Sequence, residues 1–105
     1  MIQIPKRIKV GPVTYVVDYH DGLSGDDGKS LWGNCDHTAL SVAINSNIAK
    51  DFERVVVVHE LLHAIYHLSG IPESEEEEKI VTSLSPLLLL LMRDNPKLLE
   101  YLCEK

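Results

Sequence analysis

The sequence predicts an α+β fold, with a small sheet of three or four mainly antiparallel strands packed on one long helix, and further helices at the C-terminal end. Two observations predict it. In the first half of the chain, apolar residues alternate with polar or small ones, as in half-buried strands. From Asp51 onwards the apolar residues recur every three or four positions, as on one face of a helix. This change of period divides the chain into a sheet and a set of helices.

Four segments are predicted to be strands, and they comprise residues 3–10, 13–19, 31–35 and 39–44. Gly11 and Pro12 form a turn pair between the first two, so we expect these strands to make a hairpin. Residues 20–29 are rich in Gly, Ser and Asp and show no periodicity, which is typical of a mobile loop. The fourth strand has the clearest alternation, because Leu40, Val42 and Ile44 are separated by small or polar residues.

The first helix is predicted to run from Asp51 to Gly70, where the glycine acts as a C-terminal cap. Residues 55–58 are all valine, which favours a strand locally. The spacing of three and four nevertheless continues through Tyr66 without a helix breaker. We therefore expect these valines to form the first turns of a buried helix.

A second helix is predicted from the capping box formed by Ser74 and Glu77, with a third after Asn95-Pro96. Pro86 lies inside the second helix and should kink or split it. The expected buried stripe of this helix consists of Ile80, Val81, Leu84 and Leu88.

Composition limits the functions to consider. A chain of 105 residues with 45% hydrophobic and 25% charged residues is expected to form one globular domain over residues 1–105. The net charge of −6 makes a nucleic acid an unexpected partner, because phosphate binding needs clustered Lys and Arg.

Cys35 and Cys103 form neither a disulfide framework nor a common zinc-binding pattern, and Cys35 with His37 has too short a spacing for one. No signal peptide or membrane span is predicted, so we expect a cytoplasmic protein without a membrane partner.

The most informative motif is His59-Glu60-Leu61-Leu62-His63, which is expected to lie on the first helix. Histidines four residues apart lie on the same face of a helix, so both imidazoles can bind one Zn²⁺ ion. Glu60 follows the first ligand and can act as general base on the water that completes the coordination. The motif predicts metal-assisted hydrolysis, most often of a peptide bond.

A third protein ligand must come from elsewhere in the chain. His67 lies too far from His59 along a straight helix, so the run of glutamates at 75–78 is the better source. Glu77 is the first choice, because it extends the apolar stripe of the second helix, and Glu76 is the second. The alternative is that Glu77 only bonds the backbone of the helix start, which would leave Glu76 or Glu73 as ligand.

The motif, followed by an acidic helix start and a leucine-rich helix, resembles the compact gluzincin-type metallopeptidases, and most of all the ImmA/IrrE-like group of phage and mobile elements. The resemblance covers about residues 38–95 and implies a zincin-like fold with an edge strand, here residues 40–44, beside the cleft. It also implies that His59 and His63 bind zinc, that Glu60 is the general base, and that the third ligand lies within residues 75–78.

The leading hypothesis is therefore a zinc-dependent peptidase that hydrolyses a bond in a narrow protein or peptide substrate. The alternatives are a non-catalytic protein-interaction module with a structural metal site, such as a phage or prophage accessory protein, and an interaction protein without metal. The five leucines at 87–91 cover every face of a helix, so the chain is expected to be a monomer or a homodimer. The sequence leaves the oxyanion donor open among five residues: Tyr19, His20, His37, Tyr66 and Tyr101.

Overall fold

The computed structural model describes residues 2–25 and 31–105. These residues form four strands followed by three helices: β1 (Arg7–Val10), β2 (Val13–His20), β3 (Gly33–Asp36), β4 (Ser41–Asn45), α1 (Lys50–Leu68), α2 (Glu77–Asp94) and α3 (Pro96–Cys103). The α+β prediction is confirmed, since the sheet packs on the long helix α1 and two helices follow it. Part of the loop predicted at residues 20–29 lies outside the described residues, and its first residue, His20, belongs to β2.

The strands are ordered β1-β2-β4-β3 in a mixed sheet. β1 and β2 form the predicted hairpin, and β3 pairs antiparallel with β4, whereas β2 and β4 are parallel. The expectation that residues 40–44 form an edge strand is wrong, because β4 has a neighbour on each side. β4 carries the buried residues Val42 and Ile44, which favours a central position, whereas the shorter and more polar β3 lies at the edge.

The core lies between the sheet and α1. The sheet contributes Tyr15, Val17, Val42 and Ile44, and α1 contributes Val56 and Ala64. Residues 55–58 are helical, as the spacing predicts, because their burial against the sheet outweighs the local strand preference of valine. α1 ends at Leu68, and Gly70 then adopts the left-handed conformation with φ 80°, as expected of a glycine just after a helix.

α2 begins two residues later than the capping-box motif predicts. Glu77 is the first residue of the helix, Glu76 precedes it without a side-chain cap, and the backbone carbonyl of Ser74 accepts a hydrogen bond from the Glu77 amide. The capping box is therefore not formed. The Glu77 side chain is directed instead to α1, where it bonds His63.

The buried face of α2 differs from the predicted stripe. Of the predicted residues, Val81 is fully buried and Leu88 is half-buried, but Ile80 and Leu84 are exposed, and Ser85, which lies outside the predicted stripe, is fully buried. The small Ser85 satisfies its own hydroxyl by donating to the carbonyl of Val81 at 2.6 Å, so it can be buried where α2 packs on α1. The helix is therefore rotated so that part of its apolar surface faces away from α1.

Pro86 does not split α2, which continues to Asp94. Asn95 and Pro96 start α3 as predicted, with the proline in the first turn. Within residues 2–25 and 31–105, no helix combines the length and apolarity that crossing a bilayer requires.

Candidate metal centre

α1 places His59 and His63 side by side, one helical turn apart. Their Nε2 atoms are 3.3 Å from each other, and the ring planes are inclined by 66°. Both side chains are only partly exposed, at the floor of a cleft between β3 and α2. Two nitrogen donors therefore converge on one point, as the spacing of the histidines predicts.

Glu78 at the start of α2 completes this group. Its Oε1 lies 3.0 Å from Nε2 of His59, and its Oε2 lies 2.8 Å from Nε2 of His63. The three residues offer ligand atoms that all lie within 4.8 Å of one another, so they could hold a metal ion. Among the described residues, no other group of histidine, cysteine and acidic side chains meets this criterion.

The structure thus brings Glu78 to both histidines, and not the glutamate that the sequence favours. The preference for Glu77 counts Ile80 and Leu84 as buried, whereas α2 buries Val81 together with Ser85. Glu78 lies three and seven residues before these two, on the same side of the helix. The buried side of α2 is therefore the side that brings Glu78 to the two histidines. Glu76, the second choice, is exposed.

Glu77 bonds the opposite side of the His63 ring. Its Oε2 lies 2.6 Å from Nδ1 of His63, and both side chains are largely buried. Burial by itself lowers the pKa of His63, but the hydrogen bond to Glu77 and the charges of Glu60 and Glu78 outweigh it and raise the pKa above its usual range. Burial lowers the pKa of His59, and the charge of Glu78 acts in the opposite direction without offsetting it.

Glu60 is almost fully buried beside this group, with 6% of its surface exposed. Burial raises the pKa of its carboxyl to about 7, and the charge of Glu78 acts in the same direction while His63 opposes it. The carboxylate lies against β3, where Gly33 leaves the space for it. A Cβ atom on Gly33 would lie 3.1 Å from Oε2 of Glu60 and 2.7 Å from Cγ1 of Val56.

The cleft above these side chains has a volume of about 670 Å³. His59, Glu60, His63 and Glu78 all line it. The other walls are largely apolar and include Trp32, whose ring packs edge-on against Phe52 with the centroids 4.7 Å apart. The remaining lining residues come from β3 and the residues on either side of it, and from α1 and α2: Leu31, Gly33, Asn34, Cys35, His37, Val55, Val56, Thr82, Ser85 and Pro86.

Of the five residues that the sequence leaves open as oxyanion donors, His37 is the one among the lining residues of this cleft. Its Nδ1 lies 3.2 Å from the hydroxyl of Tyr15 and 3.6 Å from Sγ of Cys35. Its ring stacks on His67 with the centroids 4.1 Å apart and the planes inclined by 2°. Burial lowers the pKa of His37, and the neighbouring His67 lowers it further.

The second ring of this stack belongs to His67, the last histidine of α1. His67 is exposed, and its ring covers that of His37. No signal in the sequence predicts the contact, because it depends on the turn that follows β3.

The sequence matches no protein-family model, and no curated protein or solved structure is significantly similar to it.

Proposed function

We propose that this chain is a zinc-dependent peptidase, in which His59, His63 and Glu78 bind the metal and Glu60 is the general base. The observation that carries the proposal is the convergence of three ligand atoms at the floor of an open cleft, next to a buried glutamate. Two histidines and one carboxylate are a common ligand set of catalytic zinc, which keeps its fourth position open.

The donor set fits zinc by its spacing. Tetrahedral zinc with bonds of about 2.0–2.1 Å holds its ligand atoms roughly 3.3 Å apart. The two histidine nitrogens already have this separation of 3.3 Å. The Glu78 oxygens lie a few tenths of an ångström closer, and its side chain, 66% exposed, is free to adjust. Zinc in this position would supply Lewis acidity, which polarises a substrate carbonyl and lowers the pKa of water.

Glu60 would move the proton. Its carboxyl has a pKa of about 7, so it exchanges a proton readily near neutral pH. In the proposed reaction it accepts a proton from the attacking water and later donates it to the leaving amine. The carboxylate is buried next to Gly33 of β3 and lines the same cleft as the two histidines.

His37 would be the hydrogen-bond donor to the oxyanion. Both neighbours of its Nδ1, the Tyr15 hydroxyl and the Cys35 thiol, can donate a hydrogen. We therefore assign Nδ1 as the acceptor, which leaves the proton of the neutral ring on Nε2. A neutral imidazole with a fixed N–H is suited to stabilise negative charge that develops on a carbonyl oxygen.

The substrate of the proposed peptidase is a protein or peptide segment. The cleft is open to solvent and bordered by the edge strand β3, so an extended chain could reach it. His59, Glu60, His63 and the acidic start of α2 support a relationship to the ImmA/IrrE-like metallopeptidases, and a role as a phage accessory protein remains part of this proposal.

The test combines metal content with hydrolysis. We expect near-stoichiometric zinc in the purified protein by elemental mass spectrometry, and cleavage of members of a fluorogenic peptide library. Glu60→Gln should abolish cleavage while zinc content and the unfolding midpoint stay close to those of the wild type. Zinc binding without any cleavage, together with a Glu60→Gln variant that has the zinc content and unfolding midpoint of the wild type, would support the non-catalytic module with a structural metal. A protein that takes up no zinc would contradict both.

A further inference from the structure

α2 exposes a continuous apolar stripe on the side that faces away from the cleft. The stripe consists of Ile80, Leu84, Leu87 and Leu91, which are 41%, 50%, 65% and 50% exposed. The residues of α2 that line the cleft are different ones: Glu78, Thr82, Ser85 and Pro86. The stripe and the cleft therefore lie on different sides of α2. A partner that covers the stripe would leave the cleft open.

The stripe continues onto α1. Ile80 and Leu84 line a shallow groove together with Ile65 and with Ile71 of the segment between the helices. These last two side chains are also more than half exposed. The groove is almost wholly apolar, so covering it and removing it from water is favourable.

α3 adds to this exposed surface. Within the described residues it packs only on α2 and has no buried residue. An eight-residue helix is too short to be stable without tertiary packing. Its apolar residues Leu98, Tyr101 and Leu102 are nevertheless exposed.

We infer that this face is a homodimer interface, in which the stripe of one copy packs on the stripe of a second copy. Its residues are separated by four, three and four positions, which is the spacing of the contact seam between two packed helices. All four stripe positions are apolar, so the surface is complementary to itself, as a two-fold interface requires.

The exposed apolar area of these elements is close to the area that each partner buries in a stable dimer. Half-exposed leucine and isoleucine side chains leave on the order of 80 Å² each in solvent, so the six residues of the stripe and groove expose roughly 500 Å². The three exposed side chains of α3, which packs on α2, bring the exposed apolar area of these elements to roughly 700–800 Å². A stable interface buries about 800 Å² per partner, whereas the largest apolar patch of a monomer is usually about 300–600 Å². The net charge of −6 argues against an anionic membrane surface as the alternative occupant.

The experiment is size-exclusion chromatography with light scattering, from micromolar to near-millimolar concentrations of the full chain. We expect twice the monomer mass for the wild type and the monomer mass for Leu87→Glu, with unchanged circular dichroism and zinc content. Leu91→Glu serves as the second variant if Leu87→Glu does not fold. Ile2→Glu is the matched control, since Ile2 is exposed but lies outside the stripe, the groove and α3, and it should remain a dimer.

Three results would overturn the inference. The wild type could have the monomer mass at every concentration. A dimer could form that neither Leu87→Glu nor Leu91→Glu dissociates, which would place its interface on another face. A monomeric chain could bind vesicles of phosphatidylglycerol and lose this binding in Leu87→Glu, which would assign the face to a membrane.

Discussion

Nδ1 of His63 lies 2.6 Å from the carboxylate of Glu77, while Nε2 of the same ring faces Glu78 and His59. Two consecutive glutamates thus contact the two nitrogens of one histidine. With a metal on Nε2, Nδ1 must carry the proton, and Glu77 accepts it as a hydrogen bond. Neighbouring residues of the same type would therefore have different roles, one as a ligand and the other in orienting a ligand.

The two roles predict different losses of metal affinity. Glu78→Ala removes a donor, so we expect zinc to be lost during purification without added metal. Glu77→Gln keeps a hydrogen-bond acceptor but removes the charge, and we expect zinc affinity to fall by about 10–100-fold. Competition with a chromophoric chelator measures both affinities.

Glu76→Ala is the matched control for this pair, because Glu76 is exposed and precedes α2. It should bind zinc like the wild type. The reverse order, with zinc lost from Glu77→Ala but retained by Glu78→Ala, would show that Glu77 is the third ligand, as the sequence alone suggests.

Gly33 makes room for the general base, and this predicts an effect on stability. In Gly33→Ala the new methyl group would lie 2.7 Å from Cγ1 of Val56, a stiff β-branched side chain in a helix, and 3.2 Å from the carbonyl oxygen of Ala43. We expect the free energy of unfolding to fall by about 1–3 kcal/mol, as in other overpacked cores. Urea denaturation followed by circular dichroism measures it.

A double variant separates this overlap from a general effect of alanine in β3. Val56→Ala removes the methyl group that is closest to the added Cβ. Gly33→Ala/Val56→Ala should therefore lose less stability than the sum of the two single changes, by at least about 0.5 kcal/mol. Strictly additive losses would mean that the overlap is relieved elsewhere.

Much of the fold follows from local patterns in the sequence. The hairpin of β1 and β2, the helical character of the valines at 55–58 and the ends of α1 and α3 all depend on residues close in the chain. The position of β4 in the middle of the sheet does not. It depends on the parallel pairing with β2, a contact between distant segments that alternation in one strand cannot indicate.

The candidate site shows the same division. The convergence of His59 and His63 depends on the helical spacing alone, and the sequence predicts it. The choice among the glutamates depends on how α2 is rotated against α1, and the leucines, together with Ile80 and Val81, make two faces of α2 similarly apolar. The small buried Ser85, more than any apolar residue, marks the face that packs.

The two cysteines should differ strongly in reactivity. Cys35 is partly buried in the cleft, and burial raises the pKa of its thiol to about 12, with the charges of Glu60 and Asp36 adding to the effect. At pH 8 its thiolate fraction is on the order of 10⁻⁴. The native protein should therefore react with iodoacetamide at Cys103, which is exposed, much faster than at Cys35.

Mass spectrometry of partly alkylated protein locates the label. Cys103→Ser should remove the fast reaction, and denaturation should make both thiols reactive. The thiolate is the reactive form, and below the pKa its fraction rises about tenfold for each unit of pH. The rate of Cys35 labelling should therefore rise about tenfold for each unit of pH. Equal rates at the two cysteines in the native state at pH 8 would contradict the burial of Cys35.

The stacked pair of His37 and His67 allows the proposed oxyanion donor to be tested against a matched neighbour. His37→Phe keeps an aromatic ring against His67 but removes the ring N–H from a residue that lines the cleft. On a peptide that the wild type cleaves, kcat should fall by about 10²–10³, with a smaller change in KM, because the hydrogen bond forms in the transition state. Zinc content should not change. His67→Phe keeps the same stack and leaves His37 in place, so its kcat should stay within a few-fold of the wild type. An equal loss of kcat in both variants would mean that the stack itself supports the cleft, and that His37 does not act on the substrate.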